Sequence, residues 1–202
     1  MQKKIGKLKR KVWLTRKARI IASERLKEKH DFHQTITVYY SVWMVFFSII
    51  NVNSDSTNTV SLLVLSSSVA LSLFSLFVNS KNYQERYFNL KANYIMLDKL
   101  ITELEDIEEK LNNAVFTNFN NEIILINEKY NNTLSTVENH DEIDFLMVLN
   151  TPNTGERSLT FEEMKRLNNY KRKQIFFKSI FYALPFLMIV IFGVINYFNI
   201  FG

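Results

Sequence analysis

Residues 60–78 read VSLLVLSSSVALSLFSLFV, nineteen positions without a charge, a proline or a glycine. A helix rises about 1.5 Å per residue, and a hydrocarbon core of about 30 Å takes roughly 20 apolar residues, with about 17 as the lower limit. The stretch is therefore long enough to cross a bilayer. Before it, residues 36–52 (ITVYYSVWMVFFSIINV) are uncharged and meet the lower limit. Near the far end, residues 179–200 (SIFYALPFLMIVIFGVINYFNI) are uncharged for 22 positions. Three such runs predict an all-α integral membrane protein with two to three transmembrane helices. The third run holds Pro185 and Asn196, and either crosses the bilayer or re-enters it as a hairpin.

The charges lie between these runs. Residues 1–34 carry 12 Lys/Arg, the 53–59 linker NSDSTNT none, residues 79–175 another 12, and Lys178 completes the 25. Positive charge stays on the cytoplasmic side. This places the N-terminus and the middle region in the cytoplasm, the linker outside, and a multi-pass topology between them. The first run follows a long basic segment and has no short n-region or small-residue cleavage site, so it reads as a span and not as a secretory signal. The organisation expected is a basic amphipathic helix over 1–35, a transmembrane hairpin over 36–78 (36–52 and 60–78), and a cytoplasmic helical domain over 79–150. A loop and helix follow over 151–178, then the third segment over 179–200.

Within the polar parts, Leu14, Ala18, Ile21, Ala22 and Leu26 form a helical stripe, with Arg16, Lys17, Arg19, Lys27 and Lys29 around it. After the second run, Tyr83, Tyr87, Leu90, Tyr94, Leu97, Ile101 and Leu104 step by 4, 3, 4, 3, 4, 3, the spacing of a coiled-coil seam. It serves either a bundle within the chain or association between copies. No glycine or proline falls within 60–112, so span and coil are expected as one rod of roughly 80 Å. Residues 1–34 have 12 basic and 3 acidic side chains, net +9; residues 98–144 have 3 basic and 12 acidic, net −9. The basic helix is expected to dock on the acidic one, which leaves less basic surface for nucleic acid, and no direct DNA binding is expected. Thr160 and Glu163 have the spacing of a capping box at the start of the last helix.

The composition gives little to an enzyme. The chain has no cysteine and only four scattered glycines, so neither a thiolate site nor a phosphate-cradling loop can be assembled. His30 and His33, beside Glu28 and Asp31, lack the further ligands a metal needs. No catalytic residue, metal or cofactor is expected. Ser61, Ser68, Ser72 and Ser75 share one face of the second span, and Ser41 and Ser48 lie seven apart in the first. Hydroxyls gain nothing against lipid, so these serines serve either close helix packing or a pore lining. Lys3, Lys4, Lys7, Lys9, Arg10 and Lys11 form a topogenic segment suited to anionic lipid. His140, amid Glu138, Asp141, Glu142 and Asp144, reads as part of a polar network pinning two helices.

Several of these residues together resemble a known family. Trp13, Thr15, Arg16, Ala18, Arg19, Ile20, Ala22, Arg25 and Leu26 precede the first span, and Phe32, His33, Tyr39, Tyr40 and Ser41 open it. Tyr83, Arg86 and Tyr94 follow the second span, and Tyr130, Leu134, Glu138, Asn139, His140 and Asp144 form the most specific group. The pattern, over residues 12 to 145, resembles the SLATT family, the SMODS and SLOG-associating two-transmembrane effector domains. The third segment looks like a C-terminal extension of it. The resemblance implies a bacterial anti-phage, abortive-infection effector. Such a protein oligomerises in the inner membrane into a pore once a partner sensor, a cyclic-nucleotide-generating enzyme or an associated reverse transcriptase, triggers it. In that picture Tyr130 to Asp144 couple the signal. The other reading is a non-conducting scaffold that anchors a cytoplasmic partner enzyme.

Overall fold

The computed structural model describes residues 2–52, 58–113, 119–152 and 157–201, and side chains outside 50–60 and 191–202. Most of the linker expected outside, and the side chain of Asn196, fall beyond these. Among the described residues there are six helices and no strand: α1 (Gln2–Val52), α2 (Asn58–Asn79), α3 (Tyr83–Asn113), α4 (Asn120–Ser135), α5 (Glu142–Leu149) and α6 (Phe161–Phe201). They divide between a polar unit, Met1–Glu28 with Tyr83–Leu167, and an apolar unit, Lys29–Asn82 with Asn168–Gly202. Helix α1 contributes to both.

The polar unit is built on a shared apolar seam. Ile5 and Val12 of α1 pack with Leu97, Leu100, Ile101, Leu104 and Ile107 of α3, and with Ile123, Ile126 and Tyr130 of α4. A second cluster joins Ala22 and Leu26 to Leu90, with Tyr83, Tyr87 and Val137 against it. Each buried Leu or Ile contributes about 1.5–3 kcal/mol relative to exposure, so this seam supplies most of the unit's cohesion. The heptad stripe on α3 is thus used up inside the chain, as a bundle and not as a surface for another copy. Its register differs at one point: Asn93 is buried and Tyr94 only half-buried.

The opposed charges meet as expected. Lys9 bridges Glu105 and Glu108 at 3.1 and 3.0 Å, Arg16 pairs with Asp98 at 2.9 Å, and Gln2 donates to Asn112 at 2.9 Å. These pairs are partly exposed, and each is worth about 0–1 kcal/mol, enough to set the register of α1 on α3. At the start of α6, Thr160 Oγ1 accepts from the Glu163 N–H at 3.3 Å while the Glu163 carboxylate accepts from the Thr160 N–H at 2.9 Å. Bonding to Arg157 and then to Thr160 brings the Glu163 carboxyl down to about 2.

Helices α2 and α3 do not form one rod. The chain turns at residues 80–82, where Asn82 takes φ 48° and the N–H groups of Ser80, Lys81 and Asn82 bond to Leu76, Val78 and Asn79 carbonyls at 3.0–3.1 Å. Asparagine tolerates the left-handed region better than most side chains, so a break forms here without glycine or proline. The boundary between the two units falls at this residue.

The apolar unit has the inverse surface of a soluble protein. Leu62, Leu65, Leu73 and Leu76 of α2, and Ile175, Phe176, Leu187 and Val190 of α6, are each about 60% exposed or more. Two helical stretches among the described residues are long and apolar enough to cross a membrane, one beginning at Ser61 in α2 and the other Phe161–Val190 in α6. The third sequence segment is therefore one of the two that qualify. It is no re-entrant hairpin, because α6 runs helical through Pro185. Within this unit Phe32, Phe74 and Phe181 meet ring to ring, and Trp43 meets Phe186 edge-on with centroids 5.4 Å apart.

Candidate functional site

The residues between Tyr130 and Asp144 form the corner between α4 and α5, and two arginines of α1 hold it. Arg25 gives two parallel hydrogen bonds to Asp144, Nε to Oδ1 at 2.7 Å and Nη2 to Oδ2 at 2.9 Å. A further contact of 2.7 Å reaches Asp141. Asp144 is fully buried and also accepts from the Asp141 N–H at 2.9 Å, closing a capping box at the start of α5. A planar guanidinium matches a carboxylate in this geometry as an ammonium cannot.

Arg19 is 1% exposed and faces neutral acceptors. Its guanidinium donates to the Thr133 and Leu134 carbonyls, each at 3.2 Å, and to the Asn93 side-chain oxygen. Those carbonyls end α4, where the last turn leaves its C=O groups unpaired and the helix dipole is negative. Asn93 completes the junction, donating to Thr133 O at 2.6 Å and to Thr136 Oγ1 at 2.9 Å. Burial lowers the pKa of Arg19 from its ordinary value. The two arginines thus terminate one helix and start the next.

Each residue expected in this group can now be placed. Tyr130 is buried, its hydroxyl 2.9 Å from Thr15 Oγ1 and its ring under the Lys11 ammonium. Leu134 packs on the core, and its carbonyl meets Arg19. Glu138 is on the surface, 2.8 Å from Arg86 of α3. Asn139 is exposed. His140 is half-buried against Phe145. Burial, assisted by the Arg19 charge, lowers its pKa against the opposite pull of Asp144 and Asp141.

Sequence reasoning placed Arg19 among the charges around the α1 stripe, whereas it lies inside. The signal was present, since Ile5, Val12, Arg19 and Leu26 are spaced by seven and all four are buried. Asn93 carried the same signal on α3, where Asn93, Leu100 and Ile107 are spaced by seven and all three are buried. Of the basic N-terminal residues, Lys3, Lys4, Lys7, Arg10 and Lys11 are exposed, whereas Lys9 is committed to Glu105 and Glu108.

In the apolar unit, the face of α2 turned toward the rest of the chain carries Ser67, Leu71, Phe74 and Val78. The serine stripe borders this face. Ser68 and Ser75 are half-buried at its edge, and Ser61 and Ser72 are exposed beyond it. Ser68 and Ser72 donate to the Leu65 and Ser68 carbonyls at 2.7 and 3.0 Å. Ser41 of α1 donates to Thr37 O at 2.8 Å, and both Ser41 and Ser48 are exposed. Among the described residues no group of acidic and histidine side chains is arranged to hold a metal ion.

A helical bundle locked by Arg19 and Arg25, joined to apolar helices that expose their side chains, defines an all-α membrane protein with a polar helical domain. The chain matches SMODS and SLOG-associating 2TM effector domain family 5 over residues 1–198, and it belongs to that family. The match takes in the third apolar segment, which is therefore part of the family's domain and not an added extension. No curated protein and no solved structure matches the chain.

Proposed function

We propose that this effector acts by oligomerising in the bacterial inner membrane into a pore that depolarises the cell, as the last step of an anti-phage response. The supporting observation is the uncovered serine border of α2: Ser61 and Ser72 lie beyond the face that one chain can pack. A strip of small residues packs closely against the same surface of neighbouring copies, and hydroxyls bonded to their own helix also suit the wall of a water-filled lumen. The basic residues of 1–34 and the following polar unit would lie in the cytoplasm, in keeping with the positive-inside rule. The exposed Lys3, Lys4 and Lys7 would then face anionic surfaces.

The trigger would act on the α4–α5 corner. Arg19 and Arg25 belong to α1, the helix that also carries the first apolar run, so the corner and that run share one element. A cyclic-nucleotide-generating enzyme or a reverse transcriptase would supply the stimulus. No catalytic role is assigned to any residue.

The test is membrane potential, followed with a voltage-sensitive dye in bacteria expressing the protein at matched membrane levels. Wild-type chain should depolarise the cells when triggered, and Ser68→Leu should not. Equal depolarisation by both would remove the serine border from the conduction path. Loss of partner recruitment without any change in conductance would favour the scaffold reading.

A further inference from the structure

Pro185 lies inside α6, in a stretch of exposed apolar side chains, yet is itself buried. Proline has no N–H, so the carbonyl four residues earlier, that of Phe181, loses its helical partner and is pushed aside by the ring. In hydrocarbon such a carbonyl must find another donor. Tyr40 of α1 supplies it, its hydroxyl donating to Phe181 O at 2.8 Å. The neighbouring Tyr39 hydroxyl donates to Tyr182 O at 3.0 Å. Two adjacent tyrosines thus meet two adjacent carbonyls of the turn that proline disturbs.

The two sides of this turn are held differently. Before Pro185, the Phe181 ring packs against Phe32 and Phe74, and the Lys178 ammonium sits over Phe32, so this part of α6 is anchored to both α1 and α2. After it, Phe186 meets Trp43, while Leu187 and Val190 are 59% and 63% exposed. A helix lacking one hydrogen bond is weakest at the gap, and proline is among the commonest sites at which helices bend.

We propose that Pro185 is a hinge in α6, latched in one setting by the hydroxyls of Tyr39 and Tyr40, and that their release is the conformational step of the apolar unit. This goes beyond the pore reading and does not depend on conduction, because the latch is a property of α1 and α6 within one chain.

The chain has no cysteine, so Val42→Cys and Leu187→Cys provide two specific spin-label sites. Labelled protein is diluted with unlabelled chain in nanodiscs of phosphatidylethanolamine and phosphatidylglycerol, and the label distance is read by pulsed electron paramagnetic resonance. The latched protein should give one narrow distribution. Tyr39→Phe with Tyr40→Phe keeps both rings and removes both donors, and should broaden or shift it. Adding Pro185→Ala restores the missing N–H and should return the narrow distribution. An unchanged distribution in the double phenylalanine variant overturns the proposal. So does a broad distribution that persists after Pro185→Ala, which would mean the tyrosines act through general packing.

Discussion

The Arg25 guanidinium and the Asp144 carboxylate are joined by two hydrogen bonds, of 2.7 and 2.9 Å, and the carboxylate is fully buried. The pair joins residues 119 positions apart and anchors the start of α5 to the middle of α1. A buried pair is weak evidence for net stability, because both ions lose their water. Losing one partner is another matter, since Arg25 would fall back on the exposed Asp141, and Asp144 on the Asp141 N–H.

Asp144→Ala should therefore destabilise the polar unit by about 3–5 kcal/mol, and Arg25→Ala by a similar amount. The double variant should recover part of the loss, with a coupling of about 1–3 kcal/mol. Denaturant midpoints followed by helicity in detergent test this. Additive losses would show that the two side chains do not act as a pair.

Arg19→Lys should not be tolerated as a conservative change. A lysine offers one compact ammonium where the guanidinium spans the Asn93 oxygen and two carbonyls. We expect a loss of about 1–3 kcal/mol from acceptors left buried without a donor. Loss of hydrogen-exchange protection at the end of α4 is the accompanying readout.

Leu97→Ala and Leu104→Ala should each cost about 2–5 kcal/mol, because both side chains are fully buried in the α1–α3–α4 seam. Phe88→Ala and Ile95→Ala, on the exposed side of α3, should stay within about 0.5 kcal/mol. If the seam instead joined separate copies, Leu97→Ala would change the oligomer size while leaving the monomer's helicity and melting unchanged.

His140 has a folded pKa below the ordinary value of 6.5. The unfolded chain then binds more protons near pH 6, so stability falls as the pH drops through that region and is fully retained above it. Melting temperatures of wild type should decline between about pH 7.5 and 5.5, and His140→Gln should flatten the decline. An identical slope in the variant would remove His140 as its source. Glu163, at about 2, keeps its charge throughout that window.

The all-helical class, the membrane setting and the family were legible in the order of the residues alone. Uncharged runs long enough to cross a bilayer leave few other structures, since in hydrocarbon the backbone must satisfy its own hydrogen bonds. The complementary charges of residues 1–34 and 98–144 likewise foretold the pairing of α1 with α3, seen in Lys9 with Glu105 and Glu108 and in Arg16 with Asp98.

Tertiary structure decided what spacing leaves open. A heptad stripe states that a face is apolar, not what covers it, and only packing showed Leu97 and Leu104 facing α1 and α4 of the same chain. The break at Asn82 rests on one residue in the left-handed region, which composition does not reveal. Buried polar contacts were hidden most deeply. Arg19 with the end of α4, Arg25 with Asp144, and Tyr40 with the carbonyl freed by Pro185 join residues more than a hundred positions apart. A charge or a hydroxyl is tolerated inside only where another element brings its partner, and that meeting is a property of the folded chain.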